Sequence, residues 1–103
     1  MFPLVSALCQ FDQLQTLESC ERIADGWAWV TFIYGEPGNR EWRSLAEFIF
    51  GFLGPPIMRE LGDRVRMSIA ITESGLYRAE MAVKPEAISA TAKLLTKLRA
   101  KAN

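Results

Sequence analysis

The sequence predicts a small two-layer α+β domain, on three observations. Residues 64–83 alternate apolar with polar side chains around a break at Glu73, Ser74 and Gly75, which is the pattern of a β-hairpin. An apolar stripe at helical spacing follows it. A strand-like stretch and a second helical stripe precede it. Strands interleaved with helices in one short chain, with no internal repeat, place helices on one sheet. The expected order is (β or α)–α–β–α–β–β–α, in a single domain over residues 1–103.

Residues 4–11 suit either a short strand or a separate helical turn. Asp12 and Gln15 have the spacing of a capping box, so a helix over 12–24 is expected, with Leu14, Leu17 and Ala24 facing the core. Residues 27–34 (WAWVTFIY) are aromatic and β-branched, hence a strand. Trp27, Trp29 and Ile33 lie on one face, and Val30, Phe32 and Tyr34 on the other. A strand apolar on both faces is buried on both sides or feeds an interface. Residues 35–39 (GEPGN) form a loop, with Asn39 as the expected helix cap. Trp42, Leu45, Ala46, Ile49 and Leu53 then mark a helical stripe, which Phe48, Phe50 and Phe52 widen beyond one face. Gly51 and Gly54 are expected to end this helix, Pro56 to start a short one and Gly62 to close it.

The hairpin pattern fixes its own register. A three-residue loop pairs Ile71 with Tyr77, Ile69 with Ala79, Met67 with Met81 and Val65 with Val83. It also sets Gly75 where a left-handed residue is needed. A two-residue loop would oppose Ile71 to Arg78, setting core against solvent. Pro85 opens the last helix, and Ile88, Thr91, Ala92, Leu95 and Leu98 share the face that should cover the hairpin.

Formal charges cancel, twelve basic against twelve acidic, but unevenly: residues 84–103 carry five basic and one acidic side chain. The basic final helix complements the negative end of its own dipole. There is no His, so Ser-His-Asp and Cys-His catalysis are excluded for this chain, and a zinc site lacks its usual ligands. No metal and no cofactor are expected. Two Cys, Cys9 and Cys20, make no disulfide framework, which points to a reducing, cytoplasmic setting. The longest uncharged apolar run, 48–58, contains two Gly and two Pro and is too short to span a bilayer, which takes about 20 residues. The apolar N-terminus has no basic region before it, so it reads as part of the fold.

From residue 27 onward the order strand, helix, Gly51-Phe52-Leu53-Gly54, short helix, strand, strand, helix resembles type I KH domains. That resemblance implies a single-stranded nucleic-acid binder whose Gly-x-x-Gly loop clamps the backbone. Several residues depart from it. Phe52 and Leu53 stand where small or basic residues suit a phosphate, Pro55 and Pro56 lack an N–H, and the body is acidic. Nucleic-acid binding is therefore not expected. The order is also similar to thioredoxin-like and small sulfur-carrier folds, which would imply thiol chemistry at Cys9. Cys9-Gln10-Phe11-Asp12 has neither the second Cys nor the prolines of those motifs. Both cysteines are expected to be buried thiols.

Three further constellations bear on function. Arg40 follows a Gly-containing strand-to-helix turn whose N–H groups could hold an anion, although Glu36 opposes one. Arg66, Arg78 and Glu80, near Arg64, share the polar face of the hairpin as a recognition patch. Eight of the eleven aromatics lie between residues 27 and 52, more than one helix face and one strand can bury. The excess marks an interface, assigned to Phe48, Phe50, Phe52, Leu53 and Pro55. The feasible catalysts are Cys9, Tyr34 and the carboxylates. They form no convergent set in the sequence, so no catalytic residue is assigned. The expected function is a non-catalytic binding or interaction module that pairs with itself as a homodimer or with another protein. A small enzyme of thioredoxin-like topology and a KH-like binder are the alternatives.

Overall fold

The register of the hairpin is realised residue by residue, although Ile71, expected on the core side, is exposed. In a computed structural model, which describes residues 1–21 and 26–101, β1 (Leu14–Cys20), β2 (Ala28–Tyr34), β3 (Val65–Ile71) and β4 (Tyr77–Val83) make one antiparallel sheet in the order β1-β2-β4-β3. Val65 pairs with Val83, Met67 with Met81, Ile69 with Ala79 and Ile71 with Tyr77, the expected register. Gly75 sits at φ +84°, and its N–H donates to the Thr72 carbonyl at 2.9 Å, closing the three-residue loop.

Three helical units cover one face of the sheet: α1 (Phe2–Cys9), a continuous run through residues 42–61, and α4 (Ile88–Lys101). Pro85 starts a 3₁₀ turn, Pro85–Ala87, that leads into α4. The run consists of α2 (Trp42–Ala46), a π-helix (Glu47–Leu53) and α3 (Gly54–Leu61). The α+β class and the terminal hairpin-plus-helix are as the sequence predicts. Val30, Phe32, Ala79, Met81, Val83 and Val65 from the sheet meet Leu4, Leu8, Leu45, Ile49, Leu53, Leu95 and Leu98 from the helices in one core.

Residues 4–11 adopt helix rather than strand. The helix expected over 12–24 is instead β1, and its inward Ala24 lies outside the described residues. The reason is a β-bulge. The pairing steps from Thr16↔Phe32 to Glu18↔Thr31, so Leu17 is an extra residue. That insertion puts Leu14 and Leu17 three apart and mimics a helical stripe. The buried Thr31 hydroxyl accepts the Glu18 N–H at 3.2 Å, which satisfies the displaced backbone. The Asp12–Gln15 box does not form, because Gln15 lies in the ladder opposite Ile33.

The 42–61 run corrects three further expectations. Asn39 does not cap it: Glu41 stands at the N-cap and the Asn39 N–H closes a turn on Glu36. Gly51 and Gly54 end no helix. Gly54 has helical φ −58° and ψ −55°, and the chain passes through it. A Cβ there would meet the Ile49 carbonyl oxygen at 3.0 Å, so the glycine lets the wide turn close. Pro55 and Pro56 enter at the first turn of α3, where a missing N–H costs least, and Gly62 at φ +59° ends it. Trp42, placed on the buried stripe by spacing, is 52% exposed. The π-helix explains the shift: its wider turn brings Phe48, Ile49, Phe52 and Leu53 to the core side together.

Candidate functional site

The clearest candidate is a groove between the helical run and the sheet edge. The sheet ends at β3, and α3 runs beside it. The gap, about 600 Å³, is lined by Phe50, Gly54, Pro55, Ile57, Met58, Val65 and Met67, with Asp63 and Arg66 as its charged members. Phe50 is 50% and Met58 65% exposed, and Ile71, at the far end of β3, is 62% exposed. Phe50 and Met58 together make a contiguous exposed apolar patch at the groove, the kind of surface that marks an interaction site.

The interface set assigned from sequence divides here. Phe50 and Pro55 line the groove and face solvent. Leu53 is fully buried and Phe48 nearly so, which commits both to the core and corrects their assignment. Phe52 is half-buried against the same core. The sequence had no means of separating these neighbours, because the π-turn decides which Phe points inward.

Phe48 and Phe52 belong to a second feature, an aromatic groove of about 400 Å³ lined by Phe11, Tyr34, Phe48 and Phe52 with Asp12, Glu47 and Arg99. Tyr34 stacks on Phe48 at 4.1 Å and 7°, and Phe11 meets Phe48 edge-on at 5.3 Å. Arg99 Nε donates to the Gln10 carbonyl at 2.8 Å. No sequence motif announces this groove, which gathers α1's exit, the end of β2, the π-helix and the last turns of α4.

The polar candidates are dispersed. Arg66 and Glu80 do share a bay on the uncovered sheet face, with Trp27, Trp29 and Ser68. There the Arg66 guanidinium lies 4.0 Å, and the Lys84 ammonium 4.5 Å, from the Trp27 ring centre. Arg78, further along the same face, reaches across β2 to Glu18 at 4.0 Å. Arg40 stands apart in the β2–α2 loop, where its Nε donates to the Gly35 carbonyl at 3.2 Å. It serves the loop rather than joining the patch. Among the described residues no three His, Cys, Asp or Glu side chains gather where a metal ion could be held.

Burial of both cysteines does not hold. Cys9, in the last turn of α1, is exposed with its sulfur 3.6 Å from the Thr16 hydroxyl, and Cys20 is half-buried. A thiol reagent is therefore expected to label Cys9 in the native protein well before Cys20. Equal, slow labelling of both, with unfolding required, would contradict this placement.

Comparison with protein-family models, with curated proteins and with solved structures finds no match.

Proposed function

We propose that the protein is a small interaction module that acts as a homodimer, without catalysis of its own, in a reducing, cytoplasmic setting. One observation carries the reading: the apolar groove between α3 and β3, open to solvent and lined by exposed Phe50 and Met58, with Ile71 exposed at the far end of β3. Water against that much apolar surface is unfavourable by roughly 25 cal/mol per Å², and association removes it. A second copy is the partner that needs no further assumption, since a two-fold contact uses the same patch twice. The exposed Cys9 thiol fits a reducing compartment. No helix among the described residues is long and apolar enough to cross a membrane.

The test is sedimentation of wild type and Phe50→Asp across micromolar concentrations. Phe50 is half exposed, so the substitution spares the core. It acts twice in a symmetric dimer and is expected to weaken association about 30-fold or more, with the fold signal unchanged. A wild-type protein that stays monomeric at high micromolar concentration refutes the proposal.

A small enzyme is the second reading, and one observation favours it. The aromatic groove brings Asp12, Tyr34, Glu47 and Arg99 to one place. The binding reading stands ahead of it because Asp12 and Glu47 are solvent-exposed and the Arg99 guanidinium is already bonded to Gln10.

A further inference from the structure

We propose that two copies join edge to edge. In this arrangement β3 pairs antiparallel with β3 of a second copy about a two-fold axis at Ser68, and Ile71 of each copy enters the α3–β3 groove of the other. This specifies the geometry of the self-association proposed above and rests on it.

The backbone of β3 is ready for a partner strand. Lys84 N–H donates to the Arg64 carbonyl at 2.9 Å, and Thr72 N–H to the Leu76 carbonyl at 2.8 Å. Bonded and non-bonded pairs alternate along an antiparallel ladder. The residues bonded to β4 are therefore Arg64, Arg66, Ser68, Ala70 and Thr72. The N–H and C=O groups of Val65, Met67, Ile69 and Ile71 point outward from the edge. The opposite edge, β1, is broken by the bulge at Leu17, whereas β3 pairs without interruption over its whole length.

Sheet edges are commonly guarded by charged side chains. Here the two candidates are exposed but engaged within their own chain. Arg64 donates to the carbonyls of Leu61, at 3.1 Å, and Glu60, at 3.4 Å, and Arg66 lies over Trp27. The strand contains no Pro.

The edge is also complementary to itself. Pairing about Ser68 sets Met67 opposite Ile69 and Val65 opposite Ile71 of the second copy, so outward-facing groups bond in pairs. Val65 lines the groove, and Ile71 is the exposed apolar residue at the other end of the strand. Groove and side chain lie equally far from Ser68 on either side, where a two-fold axis brings them together. The contact is closed, so it stops at two copies.

The experiment is oxidation of a Ser68→Cys variant. Residues facing each other across the axis form a non-bonded pair, with Cα atoms about 4.5 Å apart, which suits a disulfide. The expected result is an intermolecular disulfide between the two introduced thiols at position 68, mapped by mass spectrometry. It should form at least about tenfold faster than the corresponding bond of an Ala90→Cys control on exposed α4. Ile71→Asp, at an exposed position, should weaken the dimer about 30-fold. A dimer that neither cross-links at position 68 nor responds to Ile71→Asp overturns the edge pairing and leaves self-association standing. A monomeric wild type overturns both, including the case in which the edge instead takes an extended peptide of another protein.

Discussion

Phe48→Ala is expected to destabilise the protein by about 3–5 kcal/mol, the cost of removing a buried aromatic ring and leaving a cavity. Phe48 is the hub of the aromatic cluster. Its ring meets Tyr34 at 4.1 Å, Phe11 at 5.3 Å, Phe52 at 6.1 Å and Phe32 at 6.5 Å. Those neighbours come from the α1–β1 corner, β2 and the π-helix, and they cannot all move in to fill the gap, because each is also fixed by its own element. The loss is a large part of the roughly 5–15 kcal/mol that holds a domain of this size. Urea unfolding measures it directly as a fall in midpoint at unchanged slope. The same variant separates a core from an interface role. A residue that served only a dimer contact would change the dissociation constant and leave monomer stability within about 1 kcal/mol, and that result would mean that the cluster is not closed as described.

What the sequence reveals and what it hides follow from how local the determinants are. The hairpin was legible because one loop length alone keeps Ile71 and Tyr77 on the same face, and Gly75 marks the left-handed position. Both-sided burial of β2 was legible from WAWVTFIY, although the cover on the second face is not a helix layer. Ile33 and Thr31 are buried there beneath neighbours that include the Arg78–Glu18 pair spanning the strand.

The hidden parts depend on partners distant in sequence. β1 reads as helix until β2 is known to offer an unpaired edge and Thr31 a hydroxyl for the bulge. The Gly51–Gly54 segment reads as a break or a clamp loop because α-helical bookkeeping has no place for two glycines and two prolines. A π-turn admits them, with the Ile49 carbonyl against Gly54. The basic tail reads as a complement to its own helix end. Arg99 and Lys101 do lie in the last turn of α4, and Arg99 is also bonded to the carbonyl of Gln10, the C-cap residue of α1, so its charge meets the negative end of a second helix as well. The candidate groove was half legible: Phe50 and Pro55 were named, whereas Met58, Met67 and Val65 join them only once α3 is laid beside β3.

The second large effect is expected at the other end of the chain, where Leu8→Ala should cost about 2–5 kcal/mol. Leu8 and Leu4 lie one turn apart on α1, both fully buried, with Ala7 beside them. Their spacing sets one face of a short helix against α4, whose Leu94, Leu95 and Leu98 belong to the same core. An eight-residue helix has too few turns to be stable alone in water, so α1 exists because that face is buried. Removing the Leu8 side chain thus empties a site at the junction of two helices, and it weakens the packing that holds α1 helical. The end of α1 carries two further ties, the Arg99 bond to Gln10 and the Gly35 N–H bond to the Gln13 carbonyl at 2.9 Å, which limit how far the helix can settle into the cavity. The cost should therefore lie towards the upper part of the range. Leu4→Ala with Leu8→Ala should remove most of the roughly 5–15 kcal/mol available and leave the chain largely unfolded at room temperature. Circular dichroism with urea titration of both variants measures this. A Leu8→Ala protein within about 1 kcal/mol of wild type would show that α1 is an appendage rather than a wall of the core.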